Sequence, residues 1–257
     1  MNSKLIILGC GSSVGVPRID GFWGSCKKKN KKNYRSRCSA IIIKGKNSVL
    51  IDTSPDVKGQ LISNKIKNIS SVIYTHEHAD QTNGLFELRP FYWKYKKRIN
   101  IFGNNRTIRH LKTKQDYLFK KSFSGYPPII KANLIKKKFF LGNNKEKIFF
   151  ETMIVKHGKT NSVVYVFEKT AYISDCNDLS IINFKELNNL NYLILDCLKF
   201  KKHPSHFNLE EALFIHNSLK PKKTILTNLH YDIVYDVLAR KLPKNVSPAY
   251  DGMSLKL

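Results

Sequence analysis

Several short apolar runs of the chain are each followed by histidine or aspartate, and this repeated placement constrains the fold more than any other feature. Residues 71–74 show it best, because a tight polar loop directly follows them. Short apolar runs bounded by polar residues are typical of buried strands. The polar residues that follow such runs are His76, His78, Asp80, His157, Asp175 and His230. The pattern predicts that one rim of a β-structure gathers these side chains.

The residue types in this set indicate a metal site. Imidazole and carboxylate groups bind Zn²⁺, Mn²⁺ or Fe²⁺ in sites that keep an open position for water. His76, His78 and Asp80 alternate along one loop and can converge on one point. The alternative is that these histidines only make hydrogen bonds within their loops.

The apolar patterning predicts hairpins in two separate blocks, at residues 39–51 and 163–174, each followed by helices. Two sheets packed face to face with helices outside would satisfy this order. Helices are predicted over residues 104–119 and 231–240, and residues 27–37 are predicted to form a basic surface loop.

The order His-x-His-x-Asp, then a distant His, an Asp and a final His, resembles the metallo-β-lactamase superfamily. Within it, the chain is similar to the phosphoribosyl 1,2-cyclic phosphate phosphodiesterase family of phosphonate catabolism. The resemblance covers essentially the whole chain and implies an α/β (α+β) fold, the four-layer αβ/βα metallo-β-lactamase sandwich. The supporting segments are residues 8–17, 35–39, 50–56, 83–85, 203–206 and 227–230.

The resemblance also implies a centre for one or two divalent cations, Zn²⁺ or Mn²⁺. The implied ligands of the first cation are His76, His78 and His157, with Asp175 as a bridge; those of the second are Asp80, residue 81 and His230. Residue 81 is Gln81, where the family pattern has histidine. An amide oxygen is a harder and weaker ligand than imidazole, so we expect weaker second-site binding that favours Mn²⁺ or Mg²⁺ over Zn²⁺. A retained second site, a single-metal enzyme and a binding protein without catalysis remain open.

The implied chemistry is hydrolysis. Two cations ~3.5–4 Å apart lower the pKa of a bridging water and clamp phosphate oxygens, so a hydroxide generated there is the nucleophile. The comparable histidine in ribonuclease Z-like relatives makes His206 the expected proton donor for the leaving group. Asp196 is expected to orient His206, and His203 is the weaker candidate for the donor. Asp80 completes the predicted catalytic residues.

Composition sets the limits of this interpretation. The 257 residues are 42% hydrophobic and contain no linker-like segment, which predicts one domain over residues 1–257. The formal charge of +26 favours anionic partners. Only eight of the 45 basic residues are arginine, however, and the lysines are scattered, so genome composition explains much of the excess. The arginines singled out as candidate phosphate ligands are Arg18, Arg35, Arg37 and Arg89.

No apolar run approaches the ~20 residues of a membrane span, so no membrane partner and a cytoplasmic location are expected. A homodimer is expected from the resemblance alone. Five cysteines without paired spacing indicate no disulfide framework, and Cys10, Cys176 and Cys197 are expected to pack as small apolar groups.

Three functions fit the sequence. The favoured one is a phosphodiesterase acting on a small anionic cyclic or diester phosphate. Nucleic-acid processing of the ribonuclease Z kind is the second, although no inserted arm for gripping tRNA is recognisable. The third is ester, lactone or thioester hydrolysis at the same metals.

Overall fold

The computed structural model describes residues 3–121, 125–180, 182 and 184–257. The strands of this part of the chain, in chain order, are β1 Ser3–Gly9, β2 Ser39–Lys44, β3 Asn47–Ile51, β4 Ser71–Ile73, β5 Ile99–Gly103, β6 Ile130–Leu134, β7 Lys138–Leu141, β8 Ile148–His157, β9 Thr160–Phe167, β10 Thr170–Ile173, β11 Tyr192–Asp196, β12 Lys223–Thr227, β13 Val246–Pro248 and β14 Met253–Lys256. The α-helices are α1 Val57–Ser63, α2 Ala79–Thr82, α3 Arg89–Tyr95, α4 Asn105–Lys114, α5 Leu209–Leu219 and α6 Tyr235–Lys241.

The strands form two mixed sheets with the same plan. The first has the order β14-β1-β2-β3-β4-β5-β6 and the second β13-β12-β11-β10-β9-β8-β7. In each sheet one half is antiparallel and the other parallel, with β3 and β10 at the change of direction. Both predicted hairpin blocks are confirmed by these pairings.

The two sheets face each other across a common apolar layer. Side chains from the first sheet, such as Leu5 and Ile42, share one buried cluster with Phe150, Tyr165 and Ile194 of the second. Burial of this area is the main favourable term in folding. Because the strands alternate their side chains, each sheet has a second apolar face to cover.

Helices cover the outer faces. Leu61 of α1 and Leu111 of α4 pack on the first sheet. Ile215 of α5 and Leu238 of α6 pack on the second. The order of layers is therefore helix, sheet, sheet, helix, and the predicted αβ/βα sandwich is confirmed.

Two helix predictions were too long. The helix predicted over 104–119 ends at Lys114, and a separate 3₁₀ turn follows at Asp116–Leu118. The helix predicted over 231–240 begins only at Tyr235. The buried Arg35 guanidinium donates to the carbonyl oxygens of His230 and Ile233, at 3.1 and 2.7 Å, and holds the preceding segment in an irregular conformation.

The burial of Arg35 contradicts the prediction that residues 27–37 form a surface loop. Residues 27–29 are exposed, but Asn33 and Arg35 are buried.

All five cysteines are free and buried, and Cys176 and Cys197 lie in the apolar cluster beneath α5, as expected. Among the described residues, no helix is both long and apolar enough to span a bilayer.

Helix α5 begins with a reciprocal cap. The Asn208 side-chain oxygen accepts from the Glu211 amide at 2.8 Å, and the Glu211 carboxylate accepts from the Asn208 amide at 3.0 Å. A capping box satisfies two backbone donors that the first turn cannot pair internally. It also fixes the chain two residues after His206.

We predict that Asn208→Ala lowers the free energy of unfolding by ~0.5–2 kcal/mol, because the first turn of α5 loses its cap. Urea denaturation followed by circular dichroism measures this change. The control is Asn217→Ala on the exposed face of the same helix, which should be neutral or slightly stabilising. Equal losses in both variants would contradict a capping role.

Candidate metal centre

The loop after β4 is tied to the opposite sheet. The Tyr165 hydroxyl donates to the Tyr74 carbonyl at 2.7 Å, and the Val163 amide donates to the Thr75 carbonyl at 2.9 Å. Both donors lie on β9 of the second sheet. The loop carrying His76 and His78 is therefore held at the boundary between the two sheets.

Hydrogen bonds fix the tautomer of His76. The buried Asp52 carboxylate accepts from the Thr75 amide and hydroxyl, both at 2.8 Å. Because the Thr75 hydroxyl donates its proton to Asp52, its oxygen can accept from His76 Nδ1, 3.0 Å away. The buried His76 Nε2 then keeps a free lone pair and has no partner within the described chain. Burial lowers the pKa of His76 to about 3, so the imidazole is neutral, as a metal ligand must be.

His157 is oriented in the same way. Its Nδ1 donates to the Ser205 carbonyl at 2.7 Å, which leaves Nε2 as an acceptor. That nitrogen lies 3.2 Å from Nδ1 of His78. Two nitrogens bound at ~2.0–2.1 Å in a tetrahedral zinc site are separated by about 3.3 Å. Ligand atoms of His76, His78 and His157 all lie within 4.8 Å of one another, which is the geometry of a three-histidine metal site.

A second compact group shares His157 and adds Asp175 and His206, again with ligand atoms within 4.8 Å. The Asp175 carboxylate accepts from the Ser174 hydroxyl at 2.8 Å and from the Asn228 side-chain amide at 3.1 Å. Burial works to raise the pKa of Asp175, but the neighbouring histidines outweigh it and hold that pKa below its usual range. Asp175 is therefore an ionised acceptor between the histidines.

Asp80 and Gln81 lie beside Asp175. The Gln81 side-chain amide is 3.4 Å from a carboxylate oxygen of Asp80 and 3.4 Å from one of Asp175. Burial and the Asp175 charge together raise the pKa of Asp80 to about 6. Two neighbouring carboxylates in a low-dielectric site repel each other unless a cation or proton lies between them.

His206 forms an ion pair with Asp196. Its Nδ1 lies 2.7 Å from the buried Asp196 carboxylate, and its ring centroid lies 4.7 Å from that of His157. Burial works to lower the pKa of His206, but the carboxylates of Asp196, Asp175 and Asp80 raise it to about 9. Burial raises the pKa of Asp196 to about 7, and the pair shares one proton-bearing contact beside the three-histidine group that favours the protonated imidazole at His206. His203, whose ring is 5.3 Å from that of His206, contacts Ser205 instead.

His230 differs from the other expected ligands. Its Nδ1 lies 3.0 Å from the Asp232 carboxylate, and among the described residues it belongs to neither compact group. Its assignment to the second cation stays a prediction from the resemblance.

The candidate phosphate-binding arginines mostly have structural partners. Arg18 pairs with Asp20 and Arg37 with Asp56. Buried Arg35 donates to main-chain carbonyls, as described above. Arg89 lies over the ring of Phe86, with 4.7 Å to the ring centroid.

Sequence reasoning assigned no role to two residues that shape the centre. They are Asp52, which holds Thr75 and through it His76, and Asn228, which donates to Asp175. Asn228 and Asp52 both have left-handed backbone conformations, with φ of 62° and 60°. Asn and Asp tolerate this region better than other side chains, so their position directly after β12 and β3 was a usable signal.

A family model described as a beta-lactamase superfamily domain matches residues 47–231. The chain belongs to the beta-lactamase superfamily. It has the metallo-β-lactamase fold, and the resemblance to that superfamily noted in the sequence is confirmed.

Solved structures of the superfamily share the whole fold. A diphosphatase from the PhnP family is 30% identical, with a TM-score of 0.90 over 100% of this chain and 98% of that one. Zinc-bound PqqB from Methylobacterium extorquens is 13% identical with a TM-score of 0.78, covering 99% of this chain and 100% of that one. Human tRNase Z, short form, is 16% identical with a TM-score of 0.70, covering 98% of both. The last two similarities show the fold alone.

One curated relative is named for a different reaction, the transfer of an acyl group. An octanoyltransferase of Porphyromonas gingivalis (strain ATCC BAA-308 / W83) is 26% identical over 254 residues, which is 97% of this chain and 51% of the relative. The chain therefore spans about half the length of the curated relative that it matches.

The described residues fit a divalent cation, as is usual in this superfamily. The buried Nε2 of neutral His76 has no partner in the part of the chain that the structure describes, and the nitrogens of His78 and His157 have the separation of metal ligands. The predicted His/Asp metal centre is thus supported by the geometry.

We predict that His76→Ala removes the tightly bound metal and any hydrolytic activity together, because two imidazoles remain where three converge. Elemental analysis of the purified variant measures the metal. The control is His110→Ala on α4, which substitutes a histidine outside the centre and should retain the metal. Full metal content in His76→Ala would contradict the assignment.

Proposed function

We propose that the chain is a metal-dependent phosphodiesterase that hydrolyses a small cyclic or diester phosphate. The observation that carries the proposal is the His206–Asp196 pair beside the candidate metal ligands. An alkoxide leaving group needs a proton, and a charged histidine at the centre can supply one. A thiol has a pKa of ~8.5, so a thiolate leaves readily without that help. A dedicated acid is therefore better explained by an alkoxide leaving group.

The roles of the side chains follow from their contacts. His206 Nδ1 faces Asp196, which leaves Nε2 to hold the proton for the leaving oxygen. Asp196 orients the ring and stabilises its charge. His76, His78 and His157 would hold one cation, and Asp80, Gln81 and Asp175, with His230 by resemblance, would hold a second. A divalent cation bound there lowers the pKa of a water and adds positive charge near the phosphate oxygens.

Two further observations support a phosphate substrate. The structure with 30% identity over the whole chain is of a diphosphatase, which also acts at phosphorus. The formal charge of +26 favours attraction of an anionic substrate. Nucleic acid stays the less favoured partner, because the similarity to tRNase Z shows the fold alone.

Acyl-thioester hydrolysis is a second candidate. The octanoyltransferase relative supports it, because the matching half belongs to a protein named for transfer of an acyl group. That name describes the whole relative, of which this chain spans 51%. The same metal ligands could serve this reaction, so substrate assays must decide.

The test compares substrates on metal-reconstituted protein. A ribose cyclic phosphate, bis(nitrophenyl) phosphate, a precursor tRNA and an octanoyl thioester are assayed in parallel. We expect the two small phosphodiesters to have the highest kcat/KM. Faster turnover of the thioester or of the tRNA than of both small phosphodiesters would overturn the proposal.

We predict that His206→Ala slows a diester with an alkyl leaving group by ~10²–10⁴-fold, because its alkoxide loses its proton donor. A diester with a nitrophenol leaving group should be slowed far less, since nitrophenolate departs without a proton. Measuring kcat for both substrates gives the ratio that decides.

His203→Ala is the matched control, since His203 neighbours His206 without bonding to Asp196. It should change neither rate strongly. Equal slowing of both substrates by His206→Ala would assign His206 a binding or structural role instead.

The single domain over residues 1–257, the cytoplasmic location and the homodimer stay predictions.

A further inference from the structure

Gln81 occupies a rigid position in the centre. Its side chain is completely buried. Its main-chain amide donates to the His78 carbonyl at 3.0 Å, and its carbonyl accepts from the Thr53 amide at 2.8 Å. The terminal amide group can take either of two orientations, and the choice decides which atom faces the carboxylates.

The two orientations of the amide differ in their partners. In one, Nε2 lies 3.4 Å from a carboxylate oxygen of Asp80 and from one of Asp175, while Oε1 faces two other acceptors. In the other, Nε2 donates to the Cys38 carbonyl at 3.1 Å and to the Asp52 carboxylate at 3.3 Å. The second orientation is favoured, because its two bonds are shorter and the first places the amide oxygen against the Cys38 carbonyl, which cannot donate, and against Asp52, which already accepts twice from Thr75. The second orientation in turn places the amide oxygen beside two carboxylates, a repulsion that a cation between them would relieve.

The favoured orientation turns Oε1 toward Asp80 and Asp175. Three oxygen atoms then converge beside the three-histidine group, and two of them belong to carboxylates. Within the described residues, no lysine or arginine forms an ion pair with either carboxylate. Converging oxygens of this kind are the ligands of hard cations.

We propose that Gln81 makes the centre heterobimetallic. The site of His76, His78 and His157 would take Zn²⁺, because imidazole suits borderline cations. The neighbouring oxygen site of Asp80, Gln81 and Asp175 would prefer Mn²⁺ or Mg²⁺. Asp52 is the positioning residue for both sites, since it orients His76 through Thr75 and anchors the Gln81 amide.

The proposal rests on the metal centre of the proposed function but not on its substrate. His230, the remaining second-site ligand implied by the resemblance, pairs with Asp232 in this structure. Asp80, Gln81 and Asp175 supply three oxygen ligands wherever His230 lies. Binding of His230 to the second cation would add one nitrogen ligand and leave these three in place.

The test measures metal content and affinity, independently of activity. Metal-stripped protein is titrated by calorimetry with Zn²⁺ alone, with Mn²⁺ alone, and with Mn²⁺ after one equivalent of Zn²⁺. Elemental analysis after gel filtration gives the stoichiometry. We expect one tight Zn²⁺, then one Mn²⁺ that added Zn²⁺ displaces poorly.

Substitutions at residue 81 then test the cause. Gln81→His should tighten the second Zn²⁺ by ~10–100-fold, the range seen when a supporting group of a metal site is changed. Gln81→Glu keeps an oxygen ligand and should retain the preference for Mn²⁺. The control is Asn83→His, which adds an imidazole at an exposed position of the same loop and should change nothing.

Each outcome decides the proposal. It is wrong if wild type binds two Zn²⁺ as tightly as Gln81→His does, or if no second cation of any kind binds. The wild-type titrations decide even if a variant fails to fold. One Zn²⁺ and one Mn²⁺ without hydrolysis of any phosphodiester would leave this inference standing and remove the proposed function, and hydrolysis with two equally tight Zn²⁺ would do the reverse.

Discussion

The centre depends on how four aspartates are accommodated at one end of the sandwich. Asp52, Asp175 and Asp196 are buried, and Asp80 lies beside them. A buried carboxylate is costly unless hydrogen bonds or opposite charges compensate it. Each buried carboxylate has a hydrogen-bonding partner: Thr75 for Asp52, Asn228 for Asp175 and His206 for Asp196. The loops at this rim therefore supply hydrogen bonds to buried carboxylates as well as covering the apolar core.

Much of this arrangement could be predicted because it depends on local sequence. The order of the histidines and aspartates, each after an apolar run, predicted that His76, His78, His157 and Asp175 meet at one rim, and the structure brings them together. The alternation of hairpins and helices indicated two sheets with helices outside. The carboxyl ends of adjacent parallel strands meet at one edge of a sheet, so residues following β10, β11 and β12 had to be close together.

The rest depends on contacts between distant residues, which leave no local signal. The helix expected at residue 231 starts late because Arg35, almost 200 residues away, uses the carbonyls of His230 and Ile233. The orientation of the Gln81 amide is set by Cys38 and Asp52, which belong to other strand ends. Sequence showed that Gln81 departs from the family pattern, but only the neighbours of its amide indicate which atom faces the centre.

The position of the centre at the boundary between the two sheets also affects how firmly the sheets are held together. His76 and His78 follow a strand of the first sheet, whereas His157 ends a strand of the second. A cation held by all three would crosslink the halves of the sandwich. It would close a loop of about eighty residues, and such long loops gain most from closure. Loss of the cation would leave the halves joined at this rim by hydrogen bonds such as Tyr165 to Tyr74. Metal supply would thus govern how readily the sandwich opens to proteases, as well as whether it can turn over substrate.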